Sequence, residues 1–432
     1  MSPTFASLTI RNYRVYAAGA LVSNVGTWMG RVAQDWLVLT QLTSGDSTAL
    51  GIVTGLQFLP MVLLAPIAGA VTDRFAKRRV LVMTQSALAA TSALLAVLVL
   101  SNVVQLWHVY ALALMQGVAT AFDNPTRQAF VAEMVPKERL ANAVGLNSAS
   151  FNGARLIGPG VAGLLIAAVG TGWTFVVNTT SFVAVLVALA MLQTSALKPS
   201  APSTGRGRIR AGLAYVRHRP DIMLIMFMVF MLGTFGMNFQ LTIALMTTSE
   251  FHLGATAYGA LGSIMAIGSL AAALLAARRP RPRLRILLIA LTGFALASAA
   301  AALAPTFWLF GLFLIPTGLC ALTVLTTANA TVQLAVAPEM RGRVMALYMA
   351  IFLGGTPVGA PIIGWIGSAW GPRWTILVGS IASALTVVLA MAYLMRSEHL
   401  KLRIERQPLP HLPHVELSSR QAAREVIPER IA

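Results

Sequence analysis

Residues 158–174 read GPGVAGLLIAAVGTGWT, and residues 359–375 read GAPIIGWIGSAWGPRWT. A constant offset of 201 pairs Gly158 with Gly359, Gly163 with Gly364, Gly170 with Gly371, Trp173 with Trp374 and Thr174 with Thr375; just upstream it pairs Gly153 with Gly354. No gap is needed, which chance rarely produces. Both copies are long and apolar, so the chain reads as two related halves. Internal repetition of this kind is a transporter architecture, with the substrate path between the halves.

The remainder fits an all-α polytopic membrane protein. Of 432 residues, 57% are hydrophobic and 11% charged, whereas a soluble domain carries roughly 25% charged residues. A bilayer core takes about 20 apolar residues per helix. Twelve such spans are predicted, at about 14–41, 49–72, 80–101, 104–122, 143–168, 172–193, 221–247, 255–277, 286–304, 306–330, 343–368 and 373–395. The 35 glycines and 21 prolines suit that class, because neighbouring helices re-satisfy broken backbone bonds. The first run is too long for a signal-peptide core and contains charges, so it reads as a retained helix.

The net charge is +18. Nucleic acid is one reading of it, but the placement favours another. The connections alternate: 29 of the 32 Lys and Arg lie in one set, from Arg11 and Arg14 to the tail after Arg396, and the other set holds only Arg373. Basic loops mark the cytoplasmic side. The expectation is therefore a multi-pass protein of the cytoplasmic membrane with both termini cytoplasmic and no nucleic-acid partner. Cys320 is alone, which excludes an intrachain disulfide.

Four segments are expected. Residues 1–193 form an N-terminal six-helix bundle and 221–396 a C-terminal one. Between them, 194–220 is a cytoplasmic linker that ends in an amphipathic helix, with Ile209, Leu213 and Val216 on one face. Residues 397–432 are a polar tail expected to be disordered.

GAVTDRFAKRR, residues 69–79, falls on the turn between spans 2 and 3. It resembles the loop signature of the major facilitator superfamily. QGVATAFDNPTRQAF at 116–130 and NGARLIGPGVAGLL at 152–165 look like motifs of the branch that includes macrolide-efflux and enterobactin-export proteins. The resemblance implies a two-bundle fold that works by alternating access, usually as a monomer. It also implies that Gly69, Asp73, Arg74 and Lys77 form a conformational latch with the other half, with Asp123 accepting Lys77 or Arg74. Positive-inside anchoring alone is the alternative for the bare arginines. The second half offers no acid in its ARRPRPRLR loop, so the latch is expected on one side only. Gly158, Pro159 and Gly163, echoed by Gly359, Pro361 and Gly364, are expected to be a bending contact between the halves; ordinary tight packing is the alternative. Many exporters of the superfamily carry an arginine three residues before the Gln116-Gly117 pair, and here that position is Ala113.

Three charges lie deep in the spans: Arg31, Asp35 and Arg155. A charge at the bilayer centre costs about 2.5–3.5 kcal/mol on insertion scales. Spacing of i, i+4 puts Arg31 and Asp35 on one helical face, with Asn24, Thr27 and Gln34 in the same span. Arg155 has Thr356 as its repeat partner, so the glycines are duplicated and the charge is not. The expectation is that Asp35, Arg31 and Arg155 line a central cavity, with Asn24 and Gln34, and that Asp35 carries the proton. A static ion pair between spans 1 and 5 is the alternative. The Met- and Phe-rich span 7 offers an adaptable apolar surface, or simply faces lipid.

The function expected is proton-coupled efflux of amphipathic or hydrophobic small molecules, such as drugs or siderophore-like metabolites. The alternative is an importer or lipid transporter on the same fold. No Gly-Lys dipeptide occurs, so a phosphate-binding loop of the Walker type is absent. No cluster suggests a metal, a cofactor or a catalytic residue. Small-molecule substrate, protons and the lipid bilayer are the expected partners.

Overall fold

Glycine and proline set where the helices turn, and the halves follow from those turns. The computed structural model describes residues 3–197, 208–277, 282–397, 402–405 and 414–417. Helix α1 (Arg11–Trp36) is span 1 and continues into a π-helical turn, Leu37–Leu42. α2 (Ser47–Leu63) and α3 (Ala65–Arg74) are two arms of span 2, bent by 56°. The bend falls at Leu64, between Pro60 and Pro66, where missing N–H donors loosen the helical ladder. α4 (Lys77–Leu100) and α5 (Leu106–Met134) are spans 3 and 4. α6 (Lys137–Ala190) runs through spans 5 and 6.

After the linker helix α7 (Arg208–Arg217), span 7 is broken into α8 (Pro220–Met231), a π turn, α9 (Phe239–Leu245) and a second π turn. α10 (Ala255–Ala277), α11 (Leu284–Ala302), α12 (Phe307–Ala335), α13 (Pro338–Trp370) and α14 (Pro372–Ser397) are spans 8 to 12. All twelve predicted spans form, six in each half. Eight helices pass a length-and-hydropathy test alone. α6 then supplies a second span, the bent α2–α3 pair another, and α1 and α5 are the more polar ones.

The repeat is visible in the backbone. Gly170 (φ 84°) breaks α6 between spans 5 and 6, and Gly371 (φ 95°) separates α13 from α14. An L side chain disfavours this left-handed region, so both corners fall on the paired glycines.

Some boundaries differ from expectation. α5 runs on to Met134 rather than ending at 122. Its last turns present Phe130, Val131 and Met134 to a small core with Tyr13, Tyr16 and Leu81. Asp123 therefore lies inside a helix and does not end one. α7 forms as expected, but Val216 is buried and the helix contacts α13 and α8; residues 198–207 lie outside the described residues. In the tail, where disorder was expected, Leu402–Glu405 pairs antiparallel with His414–Leu417. Its other residues from 398 on lie outside the described residues.

Two seams join the halves: α2 against α13, and α6 against α10. They are tightest at the end remote from the basic connections. There Ser47 Oγ donates to the Gly364 carbonyl at 2.7 Å; nearer the middle of the other seam, Ser263 Oγ donates to the Leu156 carbonyl at 2.7 Å. Gly163 lies directly on Ala255, Thr256 and Gly259, a backbone approach that only glycine permits. The molecule is sealed at that end.

Candidate functional site

The face of α1 that carries Arg31 and Asp35 turns inward, as the spacing predicts. Asp35 is 5% exposed and lies near the sealed end. Its partner is Tyr258 on α10, whose hydroxyl donates to Asp35 Oδ2 at 2.8 Å. The same hydroxyl is 3.2 Å from the Gln240 carbonyl. Trp36 stacks on the Tyr258 ring, with centroids 6.4 Å apart. A carboxylate of the first half is thus tied to a phenol of the second.

Arg31 does not pair with Asp35: among the described residues no ion pair within 4.0 Å joins them. Its guanidinium lies 5.1 Å from the ring centroid of Trp28 and 5.6 Å from that of Phe58. Arg155 approaches the same indole at 5.7 Å. Two cations therefore share one aromatic ring, where each gains from the negative π face.

Behind this face a pocket opens among spans 1, 2, 3, 4 and 6. Arg31, Gln34, Gln57, Gln116, Thr120 and Asn178 supply its polar lining. Gln57 Nε2 donates to Gln34 Oε1 at 3.2 Å, and Asn178 Nδ2 donates to Ser92 Oγ at 3.1 Å.

Asn24, placed by the sequence with the cavity residues, belongs to another cluster. Its Oδ1 accepts Arg127 Nη1 at 3.2 Å. Arg127 holds Asp123 Oδ2 through Nε and Nη2 at 3.1 and 3.0 Å. Asp123 Oδ1 takes Thr84 and Gln85 at 2.9 and 2.7 Å. The expected Asp123–Lys77 contact is replaced by this one; Lys77 instead pairs with Glu133 at 2.8 Å, both buried. Arg127 is four residues from Asp123, on the same face of α5, once that helix extends past residue 122. Gly69 faces open space and Arg74 is exposed. Gly158 packs against Trp28 and Gly359 against Thr234, each within its own half, whereas Pro159, Gly163 and Pro361 lie on the seams.

The sequence reading missed Tyr258, Gln57 and the role of Arg127. Arg127 was counted among the loop cations because the extension of α5 was not foreseen. Tyr258 and Asp35 are 223 positions apart, and no local pattern joins them.

The family model described as transmembrane secretion effector matches residues 2–425. The staphyloferrin A transporter of Staphylococcus aureus is 32% identical over 169 residues, covering 39% of this chain and 42% of that protein. The chain thus matches less than half the length of that relative. Macrolide efflux protein A of Streptococcus pyogenes is 23% identical over 375 residues, covering 84% of this chain and 91% of that protein. The solved structure of a point mutant of the nucleoside transporter NupG superposes with a TM-score of 0.70 at 14% identity, over 88% of this chain and 99% of that one, a likeness of fold alone. Such proteins are transporters rather than enzymes. The twelve helices, the duplicated glycine corners and the full-length match make the conclusion plain: the chain belongs to the transmembrane secretion effector family of the major facilitator superfamily.

Proposed function

We propose that the protein is a proton-coupled exporter of amphipathic small molecules that works by alternating access of its two halves. The observation that carries this reading is the Asp35–Tyr258 hydrogen bond across the sealed end. Burying an ionised carboxylate is costly, and burying a neutral carboxyl group much less so. A protonated Asp35 can donate to Tyr258 Oη while the tyrosine donates to the Gln240 carbonyl, which already lies within reach. The seal then closes with every proton satisfied and no charge trapped. Ionised Asp35 favours the hydrated, opposite state. A proton arriving from outside thus returns the exporter to the state open at the basic end, where cargo enters. Gly69, Asp73, Arg74 and Lys77 would latch the basic end in the other state. The efflux proteins among the relatives support the direction, and positive-inside placement supports the membrane orientation.

The test uses energised inverted vesicles with an imposed pH gradient. Asp35→Asn keeps an acceptor for Tyr258 but cannot ionise. It is expected to abolish gradient-driven accumulation while leaving gradient-independent exchange of cargo. Full gradient-driven flux in Asp35→Asn would move the coupling group elsewhere, with Asp123 next to be substituted.

A further inference from the structure

The pocket beside span 1 has an uneven chemistry. Gln34 is 1% exposed; its oxygen is taken by Gln57, and its Nε2 finds no acceptor. Three residues back along the helix, Arg31 also lines the pocket, and its guanidinium makes no hydrogen bond or ion pair with any described residue. No carboxylate lines the space. The nearest acid on the helix, Asp35, already receives the Tyr258 hydroxyl. Arg155, 5.7 Å from the same Trp28 ring centroid, adds a second positive charge to the region. Two donors, one fully charged, therefore converge in a lining that has amide and hydroxyl oxygens but no carboxylate, and neither donor is engaged by any described acceptor.

A guanidinium fork matches a planar carboxylate, and a side-chain amide N–H adds a third donor at the rim. Leu88, Phe175 and Phe182 supply apolar lining to the same pocket. We propose that this pocket binds the carboxylate of the transported molecule, so that the cargo is an amphipathic organic anion rather than a hydrophobic cation. The word cargo rests on the exporter reading; the binding of the anion does not.

Carboxyfluorescein and rhodamine 123 share a xanthene ring and carry opposite charges. In inverted vesicles with an acid interior, the parent is expected to accumulate carboxyfluorescein and leave rhodamine 123 outside. Arg31→Gln should cut that accumulation at least tenfold. Gln34→Glu, which places a carboxylate of the protein's own in the pocket, should do the same while keeping the fold. Accumulation of rhodamine 123 with carboxyfluorescein excluded would overturn the assignment and leave the exporter reading standing. So would carboxyfluorescein transport unaffected by both substitutions. If neither dye moves, the purified full chain decides. Its thermal midpoint, titrated with sodium citrate at constant ionic strength, should rise saturably in the parent and not in Arg31→Gln. A midpoint unmoved by citrate, or moved equally in Arg31→Gln, sinks the proposal. An equal rise with sodium chloride would give the donors to an inorganic anion and refute the carboxylate of a cargo.

Discussion

Asp35 meets Tyr258, and Arg31 rests on aromatic rings although Asp35 is one turn away on the same helix. That choice of partners was not legible in the sequence. Spacing fixes the face a side chain occupies, but the rotamer is fixed by what stands opposite: for Asp35 a tyrosine of the other half, for Arg31 the rings of Trp28 and Phe58. The charges themselves were legible, because an ionisable residue inside an apolar span has few neutral explanations. Tyr258→Phe removes the donor and keeps the ring stacked on Trp36. The sealed end should loosen, and spin labels at Ser44 and Ala369 should show a larger population at long separation; an unchanged distance distribution would reduce the bond to packing. At the opposite end, Lys77 and Glu133 form a buried pair. Removing one member of a buried ion pair costs about 3–5 kcal/mol, so Glu133→Gln should lower the thermal midpoint clearly, more than substitution of exposed Arg74.

Helices pass where side chains allow it. On the α6–α10 seam, Gly163 and Gly259 bring one backbone against another, and a Cβ on Gly163 would stand 2.6 Å from the Ala255 carbonyl. Gly163→Leu is therefore expected to hold the seam open. The protein should still elute as one species, because the α2–α13 seam and the contacts within each half are untouched, but net transport should fall to background in the vesicle assay. The corners at Gly170 and Gly371 obey a different constraint: their positive φ, not crowding, excludes other residues. Alanine at either position should cost about 1–3 kcal/mol, read as a lower thermal midpoint with transport kinetics little changed. Both corners could be read from the repeat. The bend at Leu64 and the extension of α5 could not. Prolines tolerated in a membrane helix give no sign of how far it tilts, and residues 123–134 are too polar for a hydropathy window to claim.

The whole molecule shows why its plan was legible and its site only partly so. Span number, the two halves and the family follow from properties summed over many residues: apolar runs, alternating basic loops, a repeat at fixed offset. The site depends on a few contacts between halves that share no sequence neighbourhood. The duplication was also unequal. Arg31, Asp35 and Arg155 lie in the first half, and the second half carries no charge at matching depth among its described residues. Such a machine is electrically lopsided. When the halves rock, one moves fixed charge through the membrane field and the other moves none. A unit charge crossing the full field gains or loses about 2.3 kcal/mol per 100 mV, and a partial displacement takes its share. The turnover rate should then respond to a potassium diffusion potential even at a fixed pH gradient, and Arg155→Gln should flatten that response. A membrane voltage would act on the first bundle as a lever and leave the second as its fulcrum.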